Sequence, residues 1–234
     1  MALLPVQKEL RTLASPETAT ILQGFFKTGK GQYGEGDVFL GIKVPVLRAL
    51  AKRQRDTGLD TVTALLASRY HEERVLALLL LIEFYQRADD TGRQAAFDLY
   101  LGSTARINNW DLVDISAPHI IGKHLENRPR KVLHALARSP QLWERRIAII
   151  ATFHFIRLND FADTLRIAKT LLQDEHDLMH KATGWMLREV GKRDLAAEEA
   201  FLKTHYRIMP RTMLRYAIER FPEQKRKNYL YGKV

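Results

Sequence analysis

The sequence predicts an all-α fold, a solenoid of paired helices, and three observations carry that prediction. Apolar residues recur at a spacing of about 3.6 wherever they are periodic, and no stretch alternates as a half-buried strand would. The segments HEERVLALLLLIEFY (71–85), WERRIAIIATFHFIR (143–157) and MHKATGWMLREVGK (179–192) align at offsets of 72 and 36 residues, with INNWDLVD standing at the intervening register near 107. No stretch rich in Pro, Gly or Ser interrupts the pattern, so residues 1–234 are expected to form a single domain.

Taken in order, helices are expected over 5–13, 17–28, 45–54, 60–68, 71–87, 91–101, 109–126, 129–138, 141–157, 160–172, 177–191, 194–207, 210–220 and 222–230. Pro16, Pro45, Pro129, Pro210 and Pro222 stand at or just before openings, where a missing N–H costs nothing. Asp160, Asp177 and Asp194 are the expected N-caps. Pro118 falls inside 109–126 and should interrupt it. The one long irregular segment is 29–44, GKGQYGEGDVFLGIKV, whose five glycines mark turns while Val38, Phe39 and Leu40 anchor it to the core. Two antiparallel helices per 36 residues is the dimension of an α-α superhelix (solenoid) of HEAT-like or armadillo-like repeats, right-handed, with each unit burying its apolar side on the next. In this register Arg74, Trp110, Arg146 and Ala182 are equivalent, and a basic and aromatic row is expected on the concave layer.

Composition narrows the chemistry. Hydrophobic residues at 46% and charged residues at 27% are ordinary for a globular chain. With no cysteine, disulfides, thiolate metal sites and cysteine nucleophiles are excluded. The N-terminus lacks a basic segment followed by a sustained apolar one, and the longest apolar run, Val75 to Ile82, is too short to span a bilayer, so a cytoplasmic protein is expected. Lys and Arg exceed Asp and Glu by 37 − 27 = +10. Residues 1–120 hold 14 basic and 14 acidic residues, and 121–234 hold 23 and 13, so the whole excess lies in the second half. Such a one-sided field suits a polyanion.

Few residues suggest catalysis by spacing alone. The glycines of 29–44 do not follow a phosphate-loop pattern, the histidines form no HExxH pair, His176 and His180 are not read as metal ligands, and no serine elbow is present. Trp110 and Asp114 are four apart in NNWDLVDISAPHIIG, so a helix puts both on one face while Asp111 points about 100° away. Spacing leaves two readings open. The pair either faces a ligand, or is a core tryptophan beside a carboxylate that satisfies a local donor. Arg146, set among Ile147, Ala148, Ile149 and Ile150, needs a partner: a bound anion, or Asp111, Asp114 or Glu144. Trp185 lies one repeat on, and Trp143 reads as packing between helices.

Beyond composition, YGEGDVFLGIKVP (33–45), WDLVD (110–114), WERRIAI (143–149) and GWMLREVGK (184–192) resemble the DNA alkylation repair family of HEAT-like DNA glycosylases, the AlkD-like group, over nearly the whole chain. The resemblance implies a solenoid whose concave surface holds duplex DNA, and removal of cationic N3- or N7-alkylpurines without a base-enclosing pocket and without any metal or cofactor. It places the catalytic carboxylate on Asp114, the two site tryptophans on Trp110 and Trp185, and the backbone-clamping arginine on Arg146. A further phosphate contact falls on His154 in place of the family's basic residue, and Phe25 stands where the archetype has tyrosine. With Arg74, Lys27 and Arg188 these complete the expected DNA-contacting set of a monomeric protein. The alternatives are a noncatalytic HEAT-repeat protein that binds damaged or unusual DNA, and a protein-binding scaffold.

Overall fold

The computed structural model describes residues 4–234, and among these it is all α-helical and repeat-like, with no sheet. A single parallel bridge joins Val38 to Tyr70. None of these helices is long and apolar enough to cross a membrane. The chain forms two compact units that meet in sequence at Ser116 and Ala117. Residues 117–120, Ala-Pro-His-Ile, carry no acidic or basic charge apart from the histidine, so the charge division of the sequence coincides with this boundary.

The first unit contains α1 (Pro5–Thr12), α2 (Pro16–Phe25), α3 (Val44–Arg53), α4 (Leu59–Leu66), α5 (His71–Arg87), α6 (Asp90–Gly102) and α7 (Trp110–Ser116). Its centre is α5. Every residue from Val75 to Ile82 is buried there, because α3, α4, α6 and α7 all pack around it. A helix apolar on every side belongs in an interior. Each buried Leu or Ile of that run stabilises the fold by roughly 1.5–3 kcal/mol. Ser15 caps α2 through Thr18 and Asp89 caps α6 through Gly92.

The second unit opens with a π-helical turn, Pro118–Gly122, followed by α8 (Lys131–Leu136), α9 (Leu142–Ala151), α10 (Phe153–Arg157), α11 (Ala162–Thr170), α12 (Asp177–Gly191), α13 (Leu195–His205), α14 (Arg211–Ala217) and α15 (Glu223–Leu230). Here α12 is central, packed by α9, α11, α13 and α14. Two crossings are built alike. A Cβ on Gly122 would strike the Ala151 carbonyl and the His154 side chain, and one on Gly184 would strike the Met213 carbonyl and the Tyr216 side chain. Only hydrogen on Cα allows backbones so close.

Most expected helices form, with physical reasons for the exceptions. The helix expected over 109–126 widens at Pro118, which cannot donate into an α-helical ladder, and the Gly122 amide reaches the Ala117 carbonyl at 2.9 Å. The helix expected over 141–157 breaks at Thr152, whose hydroxyl turns back to the Ile149 carbonyl at 2.6 Å. Asp194 caps α13, but His176 rather than Asp177 caps α12, accepting from the Leu178 amide. Asp160 precedes the cap position of α11 and gives its carboxylate to Arg130 at 2.6 Å. In the irregular loop Phe39 and Ile42 are the buried anchors, while Val38 and Leu40 are half-buried.

Candidate functional site

In the first unit α7 carries the candidate chemistry. Asp111, Leu112, Val113 and Ser116 face inward, and Trp110, Asp114 and Ile115 are half-buried. Trp110 and Asp114 stand four residues apart on this one helix and are both half-buried, whereas Asp111 is buried. The helix starts at Trp110, whose amide is taken by the Asn109 side chain at 2.8 Å, about one turn later than the 36-residue register requires. Asn109 in turn donates to Asp37 at 3.2 Å. Trp110 stacks on Phe26 at 5.2 Å and 16°, and meets the edge of Phe25 at 6.0 Å. Phe25 keeps 60% of its surface exposed, and exposed Lys27, just beyond α2, takes a left-handed conformation with φ of 56°. The charge of Asp114 reaches the Tyr100 hydroxyl, which burial pushes well above its ordinary pKa, and that hydroxyl bonds Ser116 at 2.9 Å.

Beneath this face the sequence His71-Glu72-Glu73-Arg74 ties the unit together. His71 bridges Asp37 at 3.1 Å and Asp111 at 2.8 Å. Glu72 accepts the amides of Leu40, Gly41 and Ile42. Glu73 accepts from Gln7 and Arg11 of α1. Arg74 donates to Asp37 at 2.6 Å and to the Ser68 carbonyl at 3.0 Å. Arg74, expected in an open row, is instead only 4% exposed, because a guanidinium that neutralises buried Asp37 cannot also stand in solvent. Asp111 is likewise no spare carboxylate. Sequence reasoning gave no role to Asp37, His71 or Glu72. The available signal was four consecutive charged or polar residues abutting the eight-residue apolar run.

The second unit places the remaining candidates on α9, α10 and α12. Arg146 is 5% exposed and donates to the Leu178 carbonyl at 2.8 Å. Its neighbour Arg145 holds Asp174 at 2.6 Å, and Glu144 accepts from Ser139. His154, half-buried, pairs with Glu126 at 2.9 Å, and burial lowers its pKa despite that carboxylate. Trp185 donates its indole N–H to Glu189 at 3.0 Å and lies 5.9 Å from the Phe153 ring. Arg188 pairs with Glu219, and its buried Nε has no partner among the described residues. Trp143 is half-buried near the start of α9.

The chain and its fold have counterparts among known proteins. A family model described as DNA alkylation repair enzyme matches residues 6–221. A solved structure, a predicted DNA alkylation repair enzyme from Enterococcus faecalis, shares the fold with a TM-score of 0.70 at 19% identity, covering 90% of this chain and 97% of that one. No protein of curated function matches. The match over nearly the whole chain places the protein in the family of DNA alkylation repair enzymes.

Proposed function

We propose that the protein is a monofunctional DNA glycosylase that hydrolyses the N-glycosidic bond of cationic N3- or N7-alkylpurines in duplex DNA. The observation that carries this reading is the shared half-buried face of Trp110 and Asp114 on α7 in a chain of the alkylation repair family. Alkylation at N3 or N7 makes the purine positive, so it leaves as a neutral base without protonation. The demand shifts to the sugar, where an oxocarbenium-like cation develops. A carboxylate about 4 Å away is worth roughly 4 kcal/mol at an effective dielectric of 20, or about three decades of rate when the attraction exists mainly in the transition state. Asp114 supplies that field and orients the water that attacks C1′. In the first unit Trp110 offers an electron-rich face to the sugar cation, and in the second unit Trp185 and Arg146 are the aromatic and guanidinium groups proposed to meet the DNA. Arg188, His154, Lys27 and Phe25 extend the backbone contacts, while Arg74 serves through Asp37 from the interior. No metal or cofactor is required by this chemistry. Residues 1–234 are proposed to work as one DNA-binding domain.

The test is single-turnover release of N7-methylguanine or N3-methyladenine from duplex at saturating protein. Asp114→Asn keeps the size of the side chain and removes its charge, and is expected to slow release by roughly two to three decades while duplex affinity changes little. No release by the native protein would leave the noncatalytic DNA-binding reading, and a native rate in Asp114→Asn would overturn the carboxylate mechanism.

A further inference from the structure

We propose that His71, bridging Asp37 and Asp111 beneath Trp110, is a positioning residue that fixes the start of α7 and thereby the common face of Trp110 and Asp114. This deepens the glycosylase reading and rests on it for its kinetic consequence. The bridge joins three separate pieces of the first unit. Asp37 belongs to the 29–43 loop, His71 opens α5, and Asp111 is the second residue of α7. Both ring nitrogens are engaged, so the imidazole can neither rotate nor slide without breaking a bond to a buried carboxylate.

The aromatic contacts run through the same ring. His71 stacks on Phe39 at 4.5 Å and lies 5.0 Å from Phe26, which stacks on Trp110. Trp110 is thus held from two directions, by backbone through Asn109 and Asp37 and by ring stacking through Phe26. The charged groups set against His71 are Asp37 from the loop, Asp111 from α7 and Arg74 from α5, two negative and two positive if the imidazole is doubly protonated. A neutral imidazole has only one N–H and would leave one carboxylate facing a lone pair. Burial opposes the charged ring, but hydrogen bonds to Asp111 and Asp37 prevail and raise its pKa to about 9. Asp37 is held below the ordinary carboxylate range, its own burial being outweighed by His71 and Arg74.

The experiment uses the full chain. Trp143→Phe with Trp185→Phe leaves Trp110 as the sole indole reporter, and its emission and acrylamide quenching are read against pH, beside 15N NMR of the His71 ring and far-ultraviolet circular dichroism. The ring is expected to stay doubly protonated at pH 7.5 and to titrate near pH 9. Trp110 quenching should roughly double across that same transition while helicity persists. His71→Gln should show the high-pH quenching already at pH 7.5. In the chain with all three tryptophans, His71→Gln should lower the single-turnover rate at saturating protein at least tenfold with duplex affinity within twofold.

A His71 ring that titrates without any change at Trp110 overturns the proposal, as does a folded His71→Gln with native quenching. Loss of helicity in step with the titration also overturns it, because the bridge would then serve folding rather than placement. If His71→Gln does not fold, the pH series on the native residue decides alone. If the native protein releases no base, the glycosylase reading fails, and the positioning proposal is still judged by the Trp110 and His71 signals.

Discussion

Glu198 is a residue whose environment works against its charge. It lies on α13 with 2% of its surface exposed, against Gly191, and its Oε1 has no hydrogen-bond partner among the described residues. Burial, reinforced by neighbouring Glu199 and opposed by Arg188 and Lys225, raises its pKa to about 8. A carboxyl that holds its proton in the folded state but loses it in the unfolded chain near its ordinary value makes stability fall as pH rises between those two points. Glu198→Gln imitates the protonated acid. It should therefore be more stable than the native protein by only about 1 kcal/mol at pH 5 and by roughly 4–5 kcal/mol at pH 9. Calorimetric melting at pH 5, 7 and 9 checks this, and a difference that does not grow with pH rejects it. Sequence could not single out Glu198, because Glu198 and Glu199 are adjacent and only the packing of α12 against α13 decides which goes inside. Trp110 and Asp114 were legible for the opposite reason: their relation is local, four residues on one helix. Sequence spacing offers Asp111 only as a partner for Arg146, because its actual partner His71 lies 40 residues away in sequence.

At the level of elements, the two glycine crossings set how closely helices approach in the second unit. A methyl group on Gly184 would press on the Met213 carbonyl and the Tyr216 side chain, and backbone cannot give way as a flexible side chain can. Gly184→Ala should therefore destabilise the protein by about 1–3 kcal/mol, the usual cost of overpacking. Gly24→Ala is the matched control. Gly24 lies in α2 with open space around its Cα, so alanine there should be neutral or stabilising by up to about 1 kcal/mol. Urea unfolding of both variants distinguishes the crossing from helix propensity, and equal effects would refute the close-approach account. Helices were readable from sequence because periodicity and capping are local, as with Asp194 and the prolines at openings. The π-helical turn was not, since Pro118 alone says only that a ladder bond is lost. Whether the chain stops or widens depends on the surroundings of Ile120, Ile121 and Gly122, all buried in the second unit.

Across the whole molecule, charge is the property that joins sequence to partner. The first unit is balanced and the second carries the entire excess of ten positive charges. Many acids of the second unit are already committed, Glu126 to Lys123, Asp163 to Arg130, Asp174 to Arg145 and Glu223 to Arg226. The surplus therefore falls on other basic residues, among them exposed Arg207, Arg211, Arg215 and Arg220 near the end of the chain. Duplex DNA that engages such a surface releases condensed counterions, and the logarithm of affinity falls with the logarithm of salt by about 0.9 for each phosphate neutralised. A footprint of about five phosphates would weaken binding roughly 500-fold between 50 and 200 mM salt. Reversing Arg211 and Arg215 together to Glu should flatten that slope by about two, whereas reversing exposed Arg55 and Arg106 of the first unit should change it little. Fluorescence anisotropy of a labelled duplex across a salt series measures all three slopes. A flat slope for the native protein would favour a protein-binding scaffold over a DNA enzyme, and equal effects of the two double reversals would detach the charge asymmetry from DNA binding.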